Sequence, residues 1–120
     1  MVKPAQVRQG DVLWVDFPAP RGSEAALRRP ALVIQTDRFN QSGLNTVVVL
    51  PLTSEIRYAD LPGNTLLLRG EAGLTKESVV LPALIRAVDR RFLGEKIGTL
   101  ALPRLHQVWS GIHLVTGVEP

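Results

Sequence analysis

Asp11-Val-Leu-Trp-Val-Asp-Phe17, then Arg21-Gly-Ser-Glu-Ala-Ala-Leu-Arg-Arg-Pro30, then Ala31-Leu-Val-Ile-Gln35 is the passage from which the fold follows. The two outer runs are rich in β-branched, aliphatic and aromatic residues and read as strands. Alternation places Val12, Trp14 and Asp16 on one face of the first strand and Leu13, Val15 and Phe17 on the other. Both faces are substantially apolar, as in a closed barrel whose outer side meets a helix or a partner. The middle stretch is long for a hairpin connection, where about two to five residues are usual. It carries Arg21, Arg28 and Arg29 together with Ser23 and Glu24. Long polar loops on rigid strands are favoured places for binding and chemistry. Three guanidiniums so close together call for water or an anion, and phosphate is a natural partner.

Outward from this passage the chain continues as short apolar runs punctuated by Gly and Pro, with strands expected near 10–17, 30–36, 45–53, 64–69, 77–82 and 84–89. Leu61-Pro-Gly-Asn64 and Gly70-Glu-Ala-Gly73 read as turns. Asp37 to Gly43 is polar and suits a short helical turn. The period then changes: Leu102, Leu105, Val108, Trp109, Ile112 and Val115 follow helical spacing, Pro103 fits a first turn and Gly117 a stop. These periodicities describe a strand-rich domain with one late helix, whose apolar stripe should lie on the sheet.

A chain of 120 residues is one domain, 1–120, with room for a real core. It is 45% hydrophobic and 21% charged, ordinary for a globular protein. With no cysteine there is no disulfide framework, thiolate metal site or cysteine nucleophile. The start lacks an apolar signal core and the longest apolar run, Val47 to Leu52, is too short for a bilayer, so a soluble, cytoplasmic protein is expected. The net charge of +3 is carried mainly by arginine, clustered at Arg21/Arg28/Arg29/Arg38 and Arg86/Arg90/Arg91. Arginine suits multi-point phosphate recognition, although interleaved acids make a mixed solvated surface the plainer account of these clusters.

Gly10-Asp11-Val12-x-Trp14-Val15, Gly22-Ser23-Glu24 and Arg29-Pro30-Ala31-Leu32-Val33-Ile34-Gln35 together resemble the opening of the MazF/PemK (Kid-like) toxin family. Thr46-Val-Val-Val-Leu-Pro-Leu-Thr-Ser54, Glu77-Ser-Val-Val-Leu81 and Ile85-Arg86-x-Val88-Asp89 extend the likeness in order to the C-terminal helix. The resemblance implies a mostly β fold, a small SH3-like barrel (MazF/PemK/CcdB-like) with a C-terminal α-helix. It implies the toxin of a type II toxin–antitoxin system, a sequence-specific, metal-independent endoribonuclease acting on single-stranded RNA, an mRNA interferase without a cofactor. It also implies a homodimer and a small acidic, partly disordered MazE-like antitoxin.

Metal-free cleavage of RNA by its own 2′-hydroxyl needs three services: removal of the proton, stabilisation of the phosphorane, and protonation of the leaving 5′-oxygen. Arg29 and Thr53 match the family's catalytic arginine and threonine. Pro30 biases Arg29 towards extended geometry, which helps fix its side chain. The hydroxyl of Thr53 can donate to the phosphorane, although strand-end threonines commonly serve the backbone. Arg21, Ser23, Glu24, Arg28 and Ser54 are candidate substrate contacts around this pair. Ser23 stands where some members have histidine, and serine is no base near neutral pH. Glu24 either supplies a base or, as favoured here, pairs with Arg28 or Arg29 and positions them. Ser78 and Arg86 match family positions in the sheet that faces RNA. Leu84 replaces a frequent glutamine, and Leu81 and Ala83 replace the Arg and Asp of Kid-like members, so the likeness is closer to MazF.

Two other classes compete. Gyrase-poison toxins of the CcdB type share the architecture without cleaving RNA, but their Trp-Gly-Ile tail is only loosely echoed by Trp109-Ser-Gly-Ile112. A barrel that binds RNA without cutting it need not keep both Arg29 and Thr53. No metal site is expected: His106 and His113 lie seven apart, where helical metal pairs favour i,i+4. Trp14 alternates inside an apolar strand, so core packing is expected ahead of base stacking, and Trp109 falls in the helix stripe.

Overall fold

A computed structural model describes residues 6–18 and 27–117 of the chain. The strands are β1 (Asp11–Phe17), β2 (Leu27–Val33), β3 (Thr46–Thr53), β4 (Thr65–Leu67), β5 (Ser78–Val80), β6 (Arg86–Asp89) and β7 (Leu93–Thr99); the helices are α1 (Asp37–Asn40) and α2 (Leu102–Thr116). They build one strongly bent sheet in the order β4-β5-β3-β2-β1-β7, with β6 paired to β3. All pairings are antiparallel. Along its second edge β3 pairs first with β6, through Thr46 to Val49, and then with β5, through Leu52 and Thr53. The 3₁₀ turn Pro82–Leu84 makes the step between those two partners.

Two apolar clusters occupy the two faces of the sheet. Val12, Leu32, Leu50, Leu52, Leu67 and Val80 pack with Leu105, Val108 and Ile112 of α2. Leu13, Val15, Phe17, Ala31, Val33, Val47, Val49 and Val88 pack together on the other face. The alternation read in the first strand therefore holds, and each face has its own core. Within α2, Leu105, Val108 and Ile112 form the buried stripe and Trp109 flanks it. Leu102 and Val115, expected in that stripe, are 62% and 41% exposed at the two ends of the helix. Gly117 ends α2 in the left-handed conformation, φ 74°, as a C-terminal glycine should.

Two expectations need correction. The second strand begins at Leu27, not near residue 30, because pairing with β1 continues to Phe17 opposite Leu27 and takes Arg28 and Arg29 into the sheet. Pro30 is accommodated because the β3 ladder begins only at Ala31, so its missing N–H leaves no rung unmade there. The segment Leu93–Thr99 is a strand that sequence reasoning left unassigned; Gly94, Glu95, Lys96 and Gly98 give it little β character. Its pairing with β1 is irregular, with register shifts between Val12 and Leu13 and between Leu13 and Val15. Its outer side closes against the 3₁₀ turn Glu71–Gly73, where a Cβ on Gly98 would run into the carbonyl of Ala72. Among the described residues no helix is long and apolar enough to cross a membrane.

Candidate nucleic-acid site

A cleft of about 530 Å³ opens where β1, β2 and β3 end, between β7 and the segment leading into β5. Trp14, Arg28, Arg29 and Pro30 line it from the first hairpin, and Leu52, Thr53 and Ser54 from the end of β3. Gly73 to Lys76 and Ser78 form a second wall, Lys96 and Ile97 a third. The described lining carries four cationic side chains and no carboxylate, so an anion is the ligand its charge suits.

The neighbours Arg28 and Arg29 take different faces. Arg28 stands opposite Asp16, on the face of Trp14 and Pro30. Its guanidinium carbon lies 4.7 Å from the centroid of the Trp14 indole. Its Nε is 3.8 Å from Asp16, a pair exposed on both sides. Arg29 stands opposite Val15, on the face of Ala31 and Val33. The β2–β3 ladder ends at Ala31 and Pro51, and beyond it Arg29 and Thr53 both line the cleft. Arg29 is half-buried and its side chain makes no hydrogen bond or ion pair among the described residues. Thr53 Oγ1 accepts from the Glu55 N–H at 3.2 Å, which leaves its own proton available to donate.

The remaining candidates divide. Ser54 is exposed at the cleft. Ser78 is buried in its wall, and its hydroxyl donates to the Lys76 carbonyl at 3.1 Å. Arg86 is not among the cleft residues; it is exposed on β6 with its guanidinium 5.2 Å from the Phe17 ring centroid. Arg21, Ser23 and Glu24 lie outside the described residues. Among the described residues no group of three or more His, Asp or Glu side chains is placed to hold a metal ion.

Sequence reasoning missed Lys76 and Lys96 and assigned Trp14 to the core, whereas the indole is half-buried and lines the cleft. Lys96 Nζ is 3.2 Å from Oδ1 of the nearly buried Asp11. That carboxylate also accepts from the Arg8 N–H and the Thr99 hydroxyl. The basic residue on an unassigned strand had no local signal. For Trp14 the available clue was Asp16, the charged residue two positions on along the same face of β1.

The wall from Gly73 to Lys76 is held from behind. Glu71 accepts two hydrogen bonds from Arg104 of α2, at 2.9 and 2.7 Å, and a third from the Leu68 N–H. The Arg104 hydrogen bonds hold the Glu71 carboxyl below the usual carboxylate range, against the opposing effect of burial. The same pair raises the already high value of Arg104.

Comparison with known proteins agrees with this architecture. Endoribonuclease MazF6 of Mycobacterium tuberculosis is 34% identical over 109 residues, spanning 91% of this chain and 96% of that protein. Endoribonuclease MazF of Staphylococcus saprophyticus is 32% identical over 113 residues, 94% of this chain and 93% of the relative. Among solved structures, the Mycobacterium tuberculosis toxin MazF-mt6 superposes with a TM-score of 0.77 at 19% identity, over 92% of this chain and 99% of its own. MazF of Deinococcus radiodurans, solved also in complexes with MazE, superposes with a TM-score of 0.76 at 25% identity, over 93% and 97%. The family described as PemK-like, MazF-like toxin of type II toxin–antitoxin system matches residues 8–116, and the chain belongs to it.

Proposed function

We propose that this protein is an endoribonuclease toxin that cleaves single-stranded RNA, with Arg29 and Thr53 acting on the scissile phosphate. The observation that carries this reading is that the half-buried Arg29 and Thr53 line one cleft, whose described lining holds cations and no carboxylate. The ribose 2′-hydroxyl loses its proton as its oxygen attacks phosphorus, the bond to the 5′-oxygen breaks and that oxygen takes up a proton, and the products are a 2′,3′-cyclic phosphate and a 5′-hydroxyl. Arg29 neutralises the charge that builds on the phosphorane oxygens, where a planar two-point donor matches the geometry. Thr53 adds a neutral donor to the same oxygens. With no carboxylate on the described lining, a divalent cation has no hard anionic ligand there, so cleavage is expected to proceed in EDTA.

In the same reading the toxin acts in the cytoplasm as a homodimer and is silenced by an acidic antitoxin whose tail covers the cationic cleft. The relatives solved in complex with a cognate antitoxin or with MazE support such a partner. Incubating pure protein with a long single-stranded RNA in EDTA, and mapping the 5′ ends, tests the reading. Discrete cuts with 5′-hydroxyl ends are expected. Strict dependence on magnesium or manganese, or intact RNA together with inhibition of gyrase, would sink it.

A further inference from the structure

From the placement of Trp14 we infer a base-stacking subsite in the cleft, in which a nucleobase takes the indole face that Arg28 now covers and the freed guanidinium turns to the adjoining phosphate. This rests on the RNA-cleaving reading and names which residue reads a base. On the same face of β1, Val12 is fully buried while Trp14 is only half-buried, so the core stops one residue short of the indole. Gly94 of β7 passes close to the root of that side chain, where a Cβ would come within 3.3 Å of the Trp14 Cβ. The ring is covered by a side chain that is 55% exposed and paired at 3.8 Å with Asp16, itself 66% exposed. Such a pair is weak and exchangeable. A base offers the indole more contact than a guanidinium, and its phosphate offers Arg28 a better partner than a solvated carboxylate. Lys96 and Lys76 line the same cleft and can take the flanking phosphates. A flat apolar ring beside cations matches a nucleotide, whereas an acidic peptide would use the cations and leave the indole idle.

Trp14 and Trp109 are the two tryptophans of the chain, so a Trp109→Phe variant makes Trp14 the single emitter. It is titrated with a random-sequence single-stranded RNA pool carrying uncleavable 2′-fluoro riboses, with binding followed by anisotropy of the labelled pool. Trp14 emission should be quenched in step with binding. Trp14→Leu should bind the pool about tenfold more weakly and Trp14→Phe close to wild type, because phenylalanine still stacks. Binding with unchanged Trp14 emission, or undiminished affinity in a folded Trp14→Leu protein, overturns the subsite and leaves the RNA reading standing. Absence of any pool binding overturns both. Quenching by an acidic peptide but not by RNA assigns the indole to a protein partner and overturns the subsite. If Trp14→Leu does not fold, the emission result decides alone.

Discussion

Arg28 and Arg29 are neighbours in the chain and opposites in the sheet. The guanidinium of one is occupied by an aromatic ring and a carboxylate; that of the other makes no hydrogen bond or ion pair among the described residues. Arg29→Ala is therefore expected to lower cleavage by about 10² to 10³ or more, with an unfolding midpoint within a degree or two of wild type. Rapid turnover by the folded variant would remove Arg29 from its role. Arg29→Lys should recover only part of the loss, since an ammonium cannot make the two-point contact. Thr53→Ala should lose less than Arg29→Ala, and the double variant should fall short of the product of the two, because both act on one transition state. At this scale the sequence was half legible. Arg29 and Thr53 could be marked through their place in a family motif, and Pro30 gave a physical reason for the geometry. What could not be read was that β2 starts early enough to send Arg28 and Arg29 to different faces, since that depends on how far β1 pairs.

At the scale of elements, the cleft depends on the 3₁₀ turn Glu71–Gly73 being fastened on two sides. On one side the backbones of Ala72 and Gly98 meet without room for a side chain. Gly98→Ala is expected to cost about 1–3 kcal/mol through overpacking and to raise KM for RNA, because Leu74 to Lys76 shift with the turn. Unchanged stability by chemical denaturation would show the seam to be slack. On the other side Glu71 holds Arg104. Its carboxyl is depressed in the folded state, so the pair's contribution is fully present above the ordinary carboxylate range and is lost as pH falls through the lower folded value. Glu71→Gln should lower stability by about 1 kcal/mol near neutral pH and should lose less than wild type on acidification to about pH 3. Parallel pH profiles for the two proteins would rule out this origin. Neither fastening was visible in the chain. Glu71 and Arg104 are 33 residues apart, and β7, with its glycines and charges, looked like a loop. The strands with dense Val and Leu, and the helix with its 3.6-residue period, were readable because their burial writes itself into composition.

For the whole molecule, the two-faced sheet was foreseen from the alternation in β1, while the bend that brings β7 to the Glu71–Gly73 turn was not, because closure is set by tertiary contact. A homodimer is expected in sedimentation experiments at micromolar concentration, at twice the 13.1 kDa monomer mass; a monomer alone would refute it. Cognate antitoxin and uncleavable RNA are expected to compete, with antitoxin affinity falling as salt rises, since exposed ion pairs are screened. Simultaneous binding without mutual effect on affinity would exclude steric and electrostatic inhibition through the cleft.

The seam between Gly98 and Ala72 is written in main-chain atoms. The side chains of Thr75 and Lys76, exposed on the cleft wall, take no part in that contact. The scaffold is thus separate from part of the lining of its cleft. A library randomised at those two positions should keep wild-type unfolding midpoints while scattering in how tightly its members bind RNA. A toxin built this way can change how it holds RNA without first having to survive a loss of stability.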